Sequence, residues 1–167
     1  MIAIIAEKPS VGQEIARVVG ATEKKDGYIT GNGYMVTWAL GHLVSLALPG
    51  TYGYTRTTAE DLPMLPEPFR LVERQIRTDR GMVTDIAAAK QLKIIDSVFD
   101  RCDSIIVATD CAREGELIFR WIYSYLGYTK PFKRLWISSL SDEAIREGLA
   151  NLRDGSTRRG STRREVL

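Results

Sequence analysis

Histidine occurs once and cysteine twice in the 167 residues. A zinc centre draws on His and Cys, so that scarcity argues against one. Cys102 and Cys111 match neither a disulfide framework nor a CxxC pair, as expected of inert thiols in a reducing compartment. No apolar run approaches the roughly 18 to 20 residues of a membrane helix, and the opening MIAIIAEKPS lacks the basic region of a signal peptide. A cytoplasmic chain without a membrane partner is expected. Charge of one sign is also scarce: the formal net charge is +2, and Arg153 to Leu167 hold five Arg against two acids, so the residues before them sum to −1. Any case for a nucleic-acid partner therefore rests on placed residues and not on bulk charge. No GxGxxG turn follows the first apolar run, which argues against dinucleotide binding.

What is present fits one globular domain, with 44% hydrophobic and 26% charged residues. Met1 to Ala6 and Ser104 to Ala108 are short, continuous apolar runs, the pattern of strands covered on both faces. Each is followed by a charged loop and then by apolar residues at helical spacing. The first helix is expected from a cap at Ser10, and the second through Leu117, Ile118, Trp121, Ile122 and Leu126. Tyr28 to Trp38 alternates around Asn32-Gly33, a hairpin signal. Pro49 to Arg70 carries too many Pro and Gly residues for a regular helix or a central strand and reads as a long ordered excursion, and Met82 to Phe99 predicts a helix with one apolar face. A short strand over Leu135 to Ile137 and a helix capped by Ser141 complete an α/β pattern. The domain is expected over 1–154. The duplicated GSTRR of 155–167 reads as a disordered basic tail, or as a cloning or frameshift artefact.

The chemistry-bearing residues fall at the two strand-to-helix junctions: Glu7 after the first strand, and Asp110, Glu114 and Glu116 after the second. Ligands of open α/β sheets lie beyond the carboxyl ends of the strands, and neighbouring strands run about 4.8 Å apart, so the two junctions can meet. Hard carboxylate oxygens suit Mg²⁺, which keeps several waters and takes one or two carboxylates plus a substrate phosphate. Lys8 and Arg113, each beside an acid, are placed to neutralise a phosphodiester. Acids at helix N-termini also arise simply because they suit the dipole, and spacing leaves both readings open. Trp38, Trp121 and Trp136 are expected in the core, Tyr28, Tyr34, Tyr52 and Tyr54 half-buried, and His42 hydrogen-bonded in a structural role. Arg70, Arg74, Arg77 and Arg80 are spaced like one basic face.

Three ordered motifs, Ile-Ala-Glu7-Lys8-Pro9-Ser10, Trp38-Ala-Leu-Gly41-His42-Leu43 and Ala108-Thr109-Asp110-Cys-Ala-Arg113-Glu114-Gly115-Glu116, together resemble the amino-terminal domain of the type IA DNA topoisomerases, in the bacterial topoisomerase III branch. The resemblance implies a Toprim fold, a small mainly parallel sheet flanked by helices, here with an added β-ribbon. It implies Glu7 as the acid that protonates the leaving deoxyribose oxygen and Lys8 as a residue that fixes the phosphate. It also implies that Asp110 and Glu114, the first and third acids of an Asp-x-Asp-x-Glu motif, are Mg²⁺ ligands; with the second acid missing, a single ion held by these two with Glu7 or Glu116 assisting is expected. The implied partners are single-stranded or negatively supercoiled DNA and the remaining domains of a longer topoisomerase.

Two departures qualify this. Ala112 stands where the motif has its second acid, which makes a two-metal mechanism doubtful. None of the seven tyrosines lies in a segment resembling the family's nucleophile site, so a fragment of a longer enzyme is expected. A stand-alone Toprim nuclease using metal-activated water, or a non-catalytic nucleotide- or nucleic-acid-binding module, are the alternatives.

Overall fold

The computed structural model describes residues 1–54, 58–63, 68–110 and 112–155. Its strands are β1 (Ile2–Ala6), β2 (Glu23–Lys25), β3 (Tyr28–Gly31), β4 (Tyr34–Trp38), β5 (Val44–Leu46), β6 (Leu71–Glu73), β7 (Gln75–Thr78), β8 (Gly81–Thr84), β9 (Ser104–Ala108), β10 (Phe132–Arg134) and β11 (Arg153–Asp154). Its α-helices are α1 (Pro9–Val19), α2 (Ile86–Arg101), α3 (Arg113–Tyr125) and α4 (Asp142–Ala150).

Seven strands form one sheet in the order β11-β10-β9-β1-β4-β3-β2. The central four, β10, β9, β1 and β4, are parallel, while β11 on one side and the β2–β3 ribbon on the other run antiparallel. This is the small, mainly parallel sheet with an added ribbon expected from the sequence. The continuous apolar runs are explained by alternation between two covered faces. Ala3 and Ile5 of β1 and Ile105 and Val107 of β9 face α2 and α3, packing with Leu92, Ile95, Phe99, Phe119 and Ile122. Ile4 and Ile106, pointing the other way, pack under α1 and α4 with Ile15, Ala16 and Ile145.

The ribbon turns as its sequence dictates, with Asn32 and Gly33 both at positive φ, 50° and 81°. It is tied to α2 by the buried Gln91, whose Nε2 donates to the carbonyl oxygens of Trp38 at 2.8 Å and Gly27 at 3.1 Å.

Several expectations need correction. α1 begins at Pro9 with Lys8 as its N-cap, not Ser10, because the fixed φ of proline suits the first helical position. Met82 lies in β8 and not in a helix: β7 and β8 form a hairpin, and Asp85 caps α2 by accepting from the amides of Ala87 and Ala88. The strand placed at Leu135 to Ile137 is observed at Phe132–Arg134. Trp136 is 40% exposed rather than in the core, with the Arg153 guanidinium 4.2 Å above its ring. Trp38 and Trp121 are half-buried against the two cores, and Tyr28, Tyr34, Tyr52 and Tyr54 are half-buried as expected. Arg70, Arg74, Arg77 and Arg80 do not make one face, since Arg74 is turned inward to Asp85 and to the carbonyl oxygens of Leu40 and His42. Gly155, read as the first residue of the tail, is buried against Phe132. Residues 156–167, and with them most of the tail, lie outside the described residues, as does Cys111. Cys102 is buried, as expected, and burial pushes its thiol pKa up.

Two predictions follow from the caps. Ser141 Oγ accepts from the Ala144 amide at 3.2 Å, so Ser141→Ala should lower stability by about 1 kcal/mol in urea denaturation, with an unchanged slope. Asp85 is held below the ordinary carboxylate range, first by its hydrogen bond from Arg74 and then by the Ala88 amide. A lowered carboxylate pKa stabilises the fold at pH values above its unfolded value, and that contribution is lost as pH falls through the lowered one. The thermal midpoint of Asp85→Asn should therefore fall less steeply than wild type on acidification below about pH 4.

Candidate active site

β1 and β9 lie side by side with Ala6 level with Ala108, so their two βα junctions open at one sheet edge. Past the last paired residues the Asp110 amide donates to Glu7 Oε2 at 3.1 Å. This contact joins residues 103 positions apart and brings the two acidic junctions together, as the sequence spacing predicts. Glu7 is half-buried, while Lys8, Asp110, Arg113 and Glu114 are exposed. Lys8 and Arg113 sit at the starts of α1 and α3, so each junction offers an acid and a cation at a helix N-terminus.

The loop between β9 and α3 is unusually tight. Thr109, buried, donates from Oγ1 to the Gly115 carbonyl oxygen at 2.8 Å. Gly115 is pressed against the backbone of Asp110: a Cβ added there would lie 2.1 Å from the Asp110 carbonyl oxygen. The first turn of α3 thus fixes where Asp110 stands. Ala112 is the N-cap of α3 and supplies no side-chain bond. The missing second acid is therefore also a missing helix cap.

Two other residues are placed differently from expectation. Glu116 is not available to the acidic edge, because its carboxylate pairs with Arg120 Nε at 2.5 Å and with Arg134 Nη2. His42, in the loop after β4, faces Glu114 and Trp121 of α3. Its Nε2 lies 3.5 Å from Glu114 Oε1, its ring centroid is 5.6 Å from that of Trp121, and its buried Nδ1 has no hydrogen-bond partner among the described residues. The Gly41-His42-Leu43 motif carried this signal. Thr109 stands inside the motif from Ala108 to Glu116, but nothing local in the sequence marks its contacts or those of Arg134, which arise across the fold.

Among the described residues no three His, Cys, Asp or Glu side chains are close enough to form a ready-made metal cage. The donor set is carboxylate oxygen, with Asp110 and Glu114 exposed to water, which fits a largely hydrated Mg²⁺ and not a dehydrated, enclosed ion.

Comparison with known proteins agrees with this architecture. A family model described as the Toprim domain matches residues 2–140. DNA topoisomerase 3 of Bacillus licheniformis is 47% identical over 156 residues, covering 91% of this chain and 20% of the relative. DNA topoisomerase 3 of Bacillus subtilis is 46% identical over 156 residues, and that of Bacillus thuringiensis (strain Al Hakam) is 49% identical over 157. The chain spans about a fifth of the length of these relatives, in keeping with the fragment expected from the sequence. The full-length topoisomerase I of Thermotoga maritima has a similar fold, with a TM-score of 0.54 and 20% identity over 91% of this chain and 21% of that one. No helix among the described residues is long and apolar enough to cross a membrane. In fold and in sequence over residues 2–140, the chain belongs to the Toprim domain family.

Proposed function

We propose that this domain supplies the acidic, phosphate-contacting part of a type IA DNA strand cleavage and religation centre, acting on single-stranded or negatively supercoiled DNA in the cytoplasm. The observation that supports the reading is the 3.1 Å hydrogen bond from the Asp110 amide to Glu7, which joins the two acidic junctions at one sheet edge. Asp110 and Glu114 would hold Mg²⁺, with Glu7 assisting from beside Asp110. Bound there, the ion would neutralise charge on the phosphate. Glu7 donates a proton to the deoxyribose oxygen that leaves when the phosphodiester breaks. Lys8 and Arg113 orient the phosphate, Arg113 through paired N–H donors and Lys8 as a point charge. The attacking hydroxyl comes from another part of a longer enzyme, of which this domain is a fraction.

A chimera tests this. Residues 1–154 replace the matching segment of the Bacillus subtilis relative, and relaxation of negatively supercoiled plasmid is followed with and without Mg²⁺. Mg²⁺-dependent relaxation, lost in Glu7→Gln, is expected. A folded chimera that neither cleaves nor relaxes DNA would refute the assignment, and nicking of plasmid by the 167-residue chain alone would favour the nuclease alternative.

A further inference from the structure

Behind the acidic edge stands a largely buried ion pair that contains neither Glu7, Asp110 nor Glu114. Arg134, at the carboxyl end of β10, has a side chain only 7% exposed and pairs with Glu116, itself 15% exposed. Its Nη1 lies 3.4 Å from both the carbonyl oxygen and Oγ1 of Thr109. Thr109 in turn donates to the Gly115 carbonyl, and Arg120 holds the Glu116 oxygen that Arg134 does not. One guanidinium thus grips both ends of the segment 109–116, the segment that carries Asp110 and Glu114.

Stability alone is a weak reason for such a pair, because the cost of desolvating two charges offsets most of their attraction, and apolar replacements of similar volume often do as well. What an apolar pair lacks is direction. A planar guanidinium with five donors fixes the separation of the groups it binds. We propose that Arg134 is a positioning residue. Through Glu116 and Thr109 it sets the loop at the depth where the Asp110 amide reaches Glu7 and where Asp110 and Glu114 are placed to share an ion. The metal half of this statement rests on the Mg²⁺ reading above, and the geometric half does not.

The test uses the 167-residue chain in three forms: wild type, Arg134→Lys, and the double variant Arg134→Met with Glu116→Leu. The double variant removes the pair without stranding either charge, so it should fold with a thermal midpoint near that of wild type. Amide hydrogen exchange is measured without metal at Asp110 and at the core positions Ile5 and Val107, and Mg²⁺ is then titrated by amide chemical shift. In the double variant, exchange at Asp110 should quicken about tenfold while Ile5 and Val107 hold their protection. Its Mg²⁺ dissociation constant should rise about tenfold, the size of effect typical of residues that orient metal ligands. Arg134→Lys should fall between, keeping the charge and losing the fork. Wild-type Asp110 exchange and Mg²⁺ affinity in the double variant would overturn the proposal, as would faster exchange throughout the core. If Asp110 exchange changes locally but no form responds to Mg²⁺, the positioning role stands and the metal reading falls.

Discussion

Gly115→Ala should destabilise the domain by about 3 kcal/mol, the upper end for an overpacked site. The added methyl would lie 2.1 Å from the Asp110 carbonyl oxygen, 2.7 Å from its nitrogen and 2.8 Å from its carbonyl carbon. Those are backbone atoms, so no rotamer change relieves the overlap. Either α3 retreats from β9 or the loop is displaced. Both movements break the Thr109 hydroxyl bond to Gly115, and displacement of the loop also pulls the Asp110 amide from Glu7. Alanine ordinarily favours a helix over glycine by about 1 kcal/mol, so a loss in urea denaturation would have the opposite sign to the helix-propensity effect. A variant as stable as wild type would show that the tight loop does not control the site.

Ala112→Asp should act in two separable ways. Position 112 is the N-cap of α3 and has backbone φ −71° and ψ 167°, an extended geometry from which an aspartate side chain can accept from the amides of the first turn. Without metal the substitution should therefore raise stability by about 1 kcal/mol. Against this stands repulsion from Asp110 and Glu114, but both are exposed, where charge pairs are typically worth only about 0.2 to 1 kcal/mol and salt screens them further. The capping gain should thus persist at 0.15 M salt and shrink at low ionic strength. With Mg²⁺ present, the added acid should tighten binding by about tenfold. Thermal unfolding with and without Mg²⁺ separates the two effects. Stabilisation only when Mg²⁺ is present would mean that the side chain is a ligand and no cap, and stabilisation independent of Mg²⁺ would mean the reverse.

Patterns that depend on neighbouring residues were the readable part of this fold. β1 and β9 could be read because a strand covered on both faces is continuously apolar, and the ribbon because Asn32-Gly33 accepts the positive φ of a tight hairpin turn. The helical pattern through Met82 misled because Met82 and Ile86 stand four apart, yet both are exposed and Asp85 starts the helix between them. The pairing of β5 with β6 spans the Pro- and Gly-rich excursion, and no local pattern announces a strand whose partner lies some 25 residues away. At the candidate site the acids were legible from their positions after apolar runs. The residues that hold them were not, because Arg134 approaches Thr109 and Glu116 only once β10 has docked beside β9. His42 shows the same limit: its motif was visible, but its approach to Glu114 required the loop after β4 to meet α3.

The most direct test of the acidic edge is a Mg²⁺ titration of the 167-residue chain followed residue by residue by ¹H-¹⁵N NMR. Saturable shifts concentrated at Glu7, Asp110 and Glu114, with little change at Glu116, are the predicted result. Shifts absent from all three acids, or spread evenly over the surface carboxylates, would contradict a Mg²⁺ site at the meeting of the two junctions.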